Sequence, residues 1–369
     1  MTLASGTSTI SSRYEDTIRL SGGLAGSGNV LFTQAGGTGN WDAPTFALSG
    51  TGANTGTVRV SGSTRTVTKL QVANVNALQS ATLDMAAGDV GTVEFTVAGT
   101  NTYSLGGLQG ARSLAFGGNS LSVGGNNQST TYTGTLSGSG LLTKVGNGTL
   151  TLSGSNSASG GTTVSAGGLQ LDGSIAGILN VASGGSLSGT GTVGGNATIA
   201  GIHSPGNSPG VQTFNANLSY SAGSIVTWEL IANTTGSAGV NYDQITVPTG
   251  NLAFSGSTQL ALSFDGAGSS VNWTNTFWDV NRSWTVYDLS AGTTSSLSNL
   301  VLGGSLLDSV GNPLSPTARG YFTTSLAGQD VMLNFVAVPE PTTWAMALAG
   351  AAACWWTVGR RRWYRTQQE

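Results

Sequence analysis

Apolar and polar residues alternate along most of this chain. Leu150 and Leu152 stand between Thr149, Thr151 and Ser153, and Leu169 and Leu171 beside Gln170 and Asp172. Leu179 with Val181 and Ala197 with Ile199 continue the pattern. Further on come Leu260, Leu262 and Phe264, then Trp284 and Val286, then Val331, Leu333 and Phe335. A period of two is the signature of a strand with one buried face. Each run is short, about five residues, and ends in Gly or Asn-Gly turn chemistry. Nothing before Val338 sustains the i, i+3, i+4 spacing of an amphipathic helix.

Such strands bury too little surface to stand alone. Stacked as rungs, they bury a continuous row of Leu, Ile and Val and leave Ser, Thr and Asn outside. Repetition is visible directly. Leu24-Ala-Gly-Ser-Gly28, Leu136-Ser-Gly-Ser-Gly140 and Leu187-Ser-Gly-Thr-Gly191 share the pattern Leu-x-Gly-x-Gly. The expected fold is therefore all-β and solenoidal. Trp228, Trp273, Trp278 and Trp284 mark the last part as the closing rungs, because a solenoid needs its end covered.

The clearest unit is Gly140-Leu-Leu-Thr-Lys-Val-Gly-Asn-Gly148, then Leu150-Thr-Leu-Ser-Gly154, Gly160-Gly-Thr-Thr-Val164 and Ala166-Gly-Gly-Leu-Gln-Leu171. It resembles the autotransporter-associated β-strand repeat of bacterial surface passenger domains. That resemblance implies a right-handed parallel β-helix, clear over 133–201 and degenerate over 1–132. Ile202-His-Ser-Pro-Gly-Asn-Ser-Pro-Gly210 and Asn241-Tyr-Asp-Gln-Ile-Thr-Val247 resemble the segment that follows such repeats, which gives a third region, 202–337, of closing rungs or β cap. Pro339 to Arg362 is 24 residues, about two spanning strands' worth at roughly ten residues each. Autotransport through a C-terminal barrel is not expected.

Residues 338–369 differ from everything before them. Val338-Pro-Glu-Pro341 precedes an uncharged stretch, 342–358, and then Arg360, Arg361 and Arg362. As a helix that stretch would reach roughly 26 Å, slightly less than the ~30 Å hydrocarbon core. Trp344, Trp355 and Trp356 lie towards its ends, where indole rings favour the interface, and the arginines belong on the cytoplasmic side. Motif, apolar span and arginine cluster together resemble the PEP-CTERM sorting signal. The resemblance implies an exosortase-type processing enzyme that reads Pro339, Glu340 and Pro341. It also implies a precursor held briefly in the inner membrane and a body released to the surface or exterior. At the other end, Met1-Thr-Leu-Ala-Ser-Gly6 has neither a basic n-region nor an apolar h-region, and the expectation is a chain truncated ahead of its repeats.

Composition agrees with an exposed repeat protein. Gly is 58 of 369 residues and charged residues are 8%, against about 7% Gly and 25% charged in ordinary domains. With 38% hydrophobic residues and a net charge of −3, the chain lacks the high charge that keeps polar chains unfolded. The acidic balance excludes a nucleic-acid partner of the usual basic-patch kind. The one cysteine, Cys354, lies in the apolar tail, so the body has no thiol for a disulfide or a metal.

Candidate chemistry is sparse. His203 is the one histidine and hence the one base available to a Ser-His-Asp site. Its place beside Ser204-Pro205 predicts a turn residue. Gly189-Thr-Gly-Thr-Val-Gly194 matches a dinucleotide fingerprint but has no helix after it. Asp243, Asp265, Asp279 and Asp288, with Arg282 nearby, are the densest charged group, expected to serve packing in the cap rather than a sugar-cleaving groove. No cofactor or metal is implied. The sequence reading is a non-enzymatic, exported β-solenoid with a structural or adhesive role, exopolysaccharide being a candidate partner. The alternative is a carbohydrate-binding or polysaccharide-degrading β-helix.

Overall fold

A computed structural model describes residues 1–12, 16–35, 43–62, 67–264, 268–303 and 319–338. Among them the secondary structure is β, apart from two short 3-10 turns at Thr276–Asp279 and Leu297–Asn299. The sorting-signal residues Pro339, Glu340, Pro341, the apolar stretch 342–358 and Arg360, Arg361 and Arg362 lie outside the described residues, as does Asp265. Among the described residues no helix is long and apolar enough to cross a membrane.

The strands form long parallel ladders in which each pairs with one a rung earlier and one a rung later. In one ladder Leu142, Thr162, Leu179, Ala197, Leu218 and Leu252 stand side by side. In a second the row is Leu150, Leu169, Leu187, His203, Val226 and Leu260. A third runs through Asn156, Ile175, Val193 and Phe214. This all-β arrangement of parallel sheets is consistent with a β-helix. The step between rungs is not constant: 16 residues from Leu187 to His203, 23 from His203 to Val226, and 34 from Val226 to Leu260. The longer steps accommodate excursions between strands.

The alternating pattern is what the stack buries. Thr149–Leu152 and Gly167–Leu171 turn their leucines inward and their polar side chains outward. The inward side chains join one hydrophobic cluster extending from Leu3 to Phe335. Each fully buried leucine contributes about 1.5–3 kcal/mol. Asparagines tie successive rungs together at one corner: the amides of Asn217, Asn251 and Thr293 donate to the side-chain oxygens of Asn196, Asn217 and Asn251 in turn.

Leu-x-Gly-x-Gly is a corner. Leu24, Leu136 and Leu187 are buried, and the glycine two residues on has positive φ in each copy: Gly26 at 97°, Gly138 at 148° and Gly189 at 100°. Only glycine enters that region without a steric penalty. The 51-residue separation of Leu136 and Leu187 is not the structural period. Leu136 pairs with Leu114, and Leu187 with Leu169, so the motif marks corners at different points of the rung.

Two polar side chains interrupt the buried rows. His203 occupies a leucine position in the second ladder and is fully buried, which corrects its placement in a turn. Parity explains the difference: Ile202 is exposed and His203 inward. Lys144 stands between Val123 and Val164, buried, and its ammonium donates to the carbonyls of Val145, Gly146 and Ala166 at 2.7, 2.9 and 3.2 Å.

Parallel stacking gives way to antiparallel pairing near the C-terminal end. The hairpin of Gly320–Ala327 and Asp330–Ala337 pairs antiparallel with Arg282–Asp288. Trp278 and Trp284 are buried beside Phe322 and Phe335, with the Trp273 and Trp278 rings stacked at 4.1 Å.

Candidate functional site

A groove lies on the outer face of the second ladder. Its floor crosses the strands Gly167–Leu171, Gly185–Gly189, Ile202–Pro205, Ile225–Glu229 and Thr258–Ser263. Because alternate residues face outward, Gln170, Ser188, Ser204 and Thr227 form a polar row along it. Gln170 stands opposite Ser188, and Ser188 opposite Ser204. The pairing of His203 with Val226 brings Thr227 beside Ser204. The groove encloses about 460 Å³, within the range of small-ligand sites.

The loop Gly206–Gly210 forms its wall. Gly206 pairs back to Gly189 through two backbone bonds of 2.9 and 3.0 Å. Asn207 donates to Asp172 at 3.0 Å and accepts from Gln170 at 3.1 Å. On the other side Ser208 Oγ donates to Glu229 at 2.8 Å. Asp243 sits behind: its Oδ1 accepts from the Gly210 amide at 2.8 Å, and its Oδ2 from the Glu229 amide at 3.0 Å. Glu229 and Asp243 are 8% and 3% exposed, and neither Lys nor Arg lines the groove. Burial raises the Asp243 pKa most. The Gly210 amide opposes it, the Glu229 charge adds to it, and the result is about 7. At neutral pH this carboxyl is poised between its two charge states.

The sequence-derived acidic group does not assemble. Asp279 pairs with Arg319 at 2.8 Å, and the Arg282 guanidinium lies over the Phe277 ring at 4.2 Å. The Asp288 pKa is raised by burial and by the Asp330 charge. Trp278 and Trp284 are core residues and offer no exposed platform for a sugar ring. His203 meets no serine nucleophile. Its Nδ1 lies 2.6 Å from Tyr220 Oη and its Nε2 2.7 Å from Gln212 Oε1. Since Gln212 Oε1 can only accept, Nε2 carries the proton and Tyr220 donates to Nδ1. Burial holds the imidazole pKa down at about 4, so it stays neutral. Gly189 ends a strand, and Thr192–Val193 is another strand, so the glycine fingerprint has no helix to complete it.

Glu229 and its contact with Asp243 were not foreseen. The two residues are brought together by an excursion between the strands Ile225–Glu229 and Gln244–Thr246, and spacing alone carries no sign of that. Among the described residues, no three His, Cys, Asp or Glu side chains gather as a metal site would require.

The parallel repeat architecture defines the class of the molecule as a β-repeat protein. Residues 142–171, from the buried Lys144 strand to Leu171, match the passenger-associated-transport-repeat family. A stretch of 103 residues, 27% of this chain, is 39% identical to the adhesin BmaC autotransporter of Brucella suis biovar 1 (strain 1330). The chain spans 3% of that relative's length.

Proposed function

We propose that this chain is an exported, surface-exposed β-solenoid, a right-handed parallel β-helix whose role is structural or adhesive and not enzymatic. The carrying observation is the repeat itself: parallel ladders with an aliphatic interior and outward Ser, Thr and Asn, matched over 142–171 by a passenger repeat. The similarity to an adhesin supports the same reading. The regions follow as 1–132 for degenerate rungs, 133–201 for the clear repeat, 202–337 for closing rungs, and 338–369 for sorting. In this reading an exosortase-type enzyme processes the chain at Pro339, Glu340 and Pro341. Arg360, Arg361 and Arg362 hold the precursor in the inner membrane, and the body ends at the cell surface or outside.

Localisation of a tagged chain with and without Pro339–Pro341 tests this proposal. Intact cells should display or release the unaltered protein and retain the deleted one in the inner membrane. Identical distributions would remove the sorting role.

A second reading, carbohydrate binding, is favoured by the groove at Glu229 and Asp243. Hydrolysis is not part of it: glycosidases place two carboxyls across a scissile bond, whereas these two belong to one wall, the Asp243 carboxyl being occupied by the Glu229 and Gly210 amides.

A further inference from the structure

We infer that the groove beside Glu229 and Asp243 binds an uncharged, extended polysaccharide lying along the axis of stacking. The inference rests on the surface-matrix reading only for the source of that ligand. The floor has a regular spacing. Ser188, Ser204 and Thr227 come from three successive rungs, and parallel strands lie about 4.8 Å apart. That advance is close to one hexose of an extended glycan, so each sugar would meet one rung. The hydroxyls of Ser188, Ser204 and Thr227 face the groove with no hydrogen-bond partner among the described residues. They remain free to donate to and accept from a ligand.

The walls are built in advance. Glu229 is fixed by Ser208, Asp243 by two backbone amides, and Asn207 by Gln170 and Asp172. Little conformational freedom is left to lose on binding, which favours affinity. Glu229 uses its oxygens on one hydroxyl, and a carboxylate accepts from several, so it has capacity for sugar hydroxyls.

Charge and shape select the class. Glu229 and the neighbouring Asp172, joined by Asp243 in its ionised form, repel uronates, sulfated glycans and nucleic acid, and among the described residues no Lys or Arg lines the groove to compensate. A peptide strand would need a sheet edge and side-chain pockets, and this floor is a sheet face of small hydroxyl residues.

Titration calorimetry on the full chain, with hexasaccharides of equal length, tests the inference. The probes are neutral β-1,4-linked gluco- and mannohexaose and hexauronate. A neutral hexaose should bind at least ten-fold more tightly than the hexauronate. Ser204→Lys and Thr227→Lys should weaken neutral binding at least ten-fold, and Thr227→Lys should raise uronate binding. Thr227→Val, which keeps shape and removes one hydroxyl, should weaken it several-fold and guards against a lysine variant that folds poorly. Failure of both neutral hexaoses to bind would overturn the site, as would tighter binding of the hexauronate or affinities unchanged by all three substitutions. A chain that binds hexaose yet is absent from the cell surface would sink the surface reading and leave the groove standing.

Discussion

The backbone amide of Glu229 donates to Oδ2 of Asp243 at 3.0 Å. The two acidic residues are thus locked together through the main chain while their charges oppose each other. Burial is the main cause of the raised Asp243 pKa, with the Glu229 charge adding to it. Glu229→Gln keeps the amide donor and an acceptor for Ser208 but removes the charge. The Asp243 pKa should then fall below about 7, measured by carbon-13 titration of its carboxyl. An unmoved titration would mean that the Glu229 charge is fully screened from Asp243.

His203 and Asp243 should give opposite pH dependences. The His203 pKa is about 4 against a free value of 6.5. Between those values the unfolded chain binds the extra proton, so its contribution to stability rises with pH. Asp243 is raised from 3.8 to about 7. There the folded chain binds the extra proton, so the contribution is present below about pH 4 and lost as pH rises to 7. The two slopes largely cancel between pH 4 and 6.5. Urea unfolding of His203→Gln and Asp243→Asn separates them. Over that window, wild-type stability minus that of His203→Gln should increase by up to roughly 3 kcal/mol. Over pH 4–7, the corresponding difference for Asp243→Asn should decrease by up to roughly 4 kcal/mol. Parallel curves for wild type and both variants would refute the assignments.

The legible part of this fold was its parity. Leu150 and Leu152, Leu169 and Leu171 are inward as their alternation requires, because a stack of parallel strands gives every rung the same two faces. His203 was misread because Ser204-Pro205 beside it reads as turn chemistry, whereas Ile202–Pro205 is a strand with His203 on its inward face. Its side chain fits the interior only through Tyr220 and Gln212, from strands that spacing does not connect. Lys144 carried a clearer signal, sharing parity with Leu142, although a charged residue inside is rare enough that alternation alone argues against it. The groove was not legible at all. Glu229 and Asp243 meet through an irregular excursion, and Asn207 reaches Gln170 from two rungs later, so both contacts depend on where the turns send the chain.

Lys144 should behave as a local clamp. Its ammonium is satisfied by three backbone carbonyls, and burial lowers its pKa. Lys144→Met keeps most of the volume and leaves those carbonyls without their donor, at a cost of about 1–3 kcal/mol. Since each rung touches only its neighbours, the loss should appear as faster amide exchange around 142–171, with the 282–288 strand unchanged. A uniform increase along the chain would contradict nearest-neighbour stacking.

Glycines at corners should divide into two cost classes. Gly117 has φ of 61° with open space where a Cβ would stand, so Gly117→Ala pays only for the left-handed backbone, roughly 1–2 kcal/mol. Gly189, in the Leu-x-Gly-x-Gly corner, has φ of 100°, and its Cβ would overlap the carbonyl oxygen of Leu171 on the preceding rung. Gly189→Ala adds that collision to the conformational cost, and relieving it requires two rungs to separate beside the groove. It should therefore lower stability by several kcal/mol more than Gly117→Ala in chemical denaturation, and expose the amides of Gly185–Gly189 and Ile202–Pro205 to exchange. Equal costs for the two substitutions would mean that the corner relaxes freely, and that the second element of the motif is needed for backbone conformation alone.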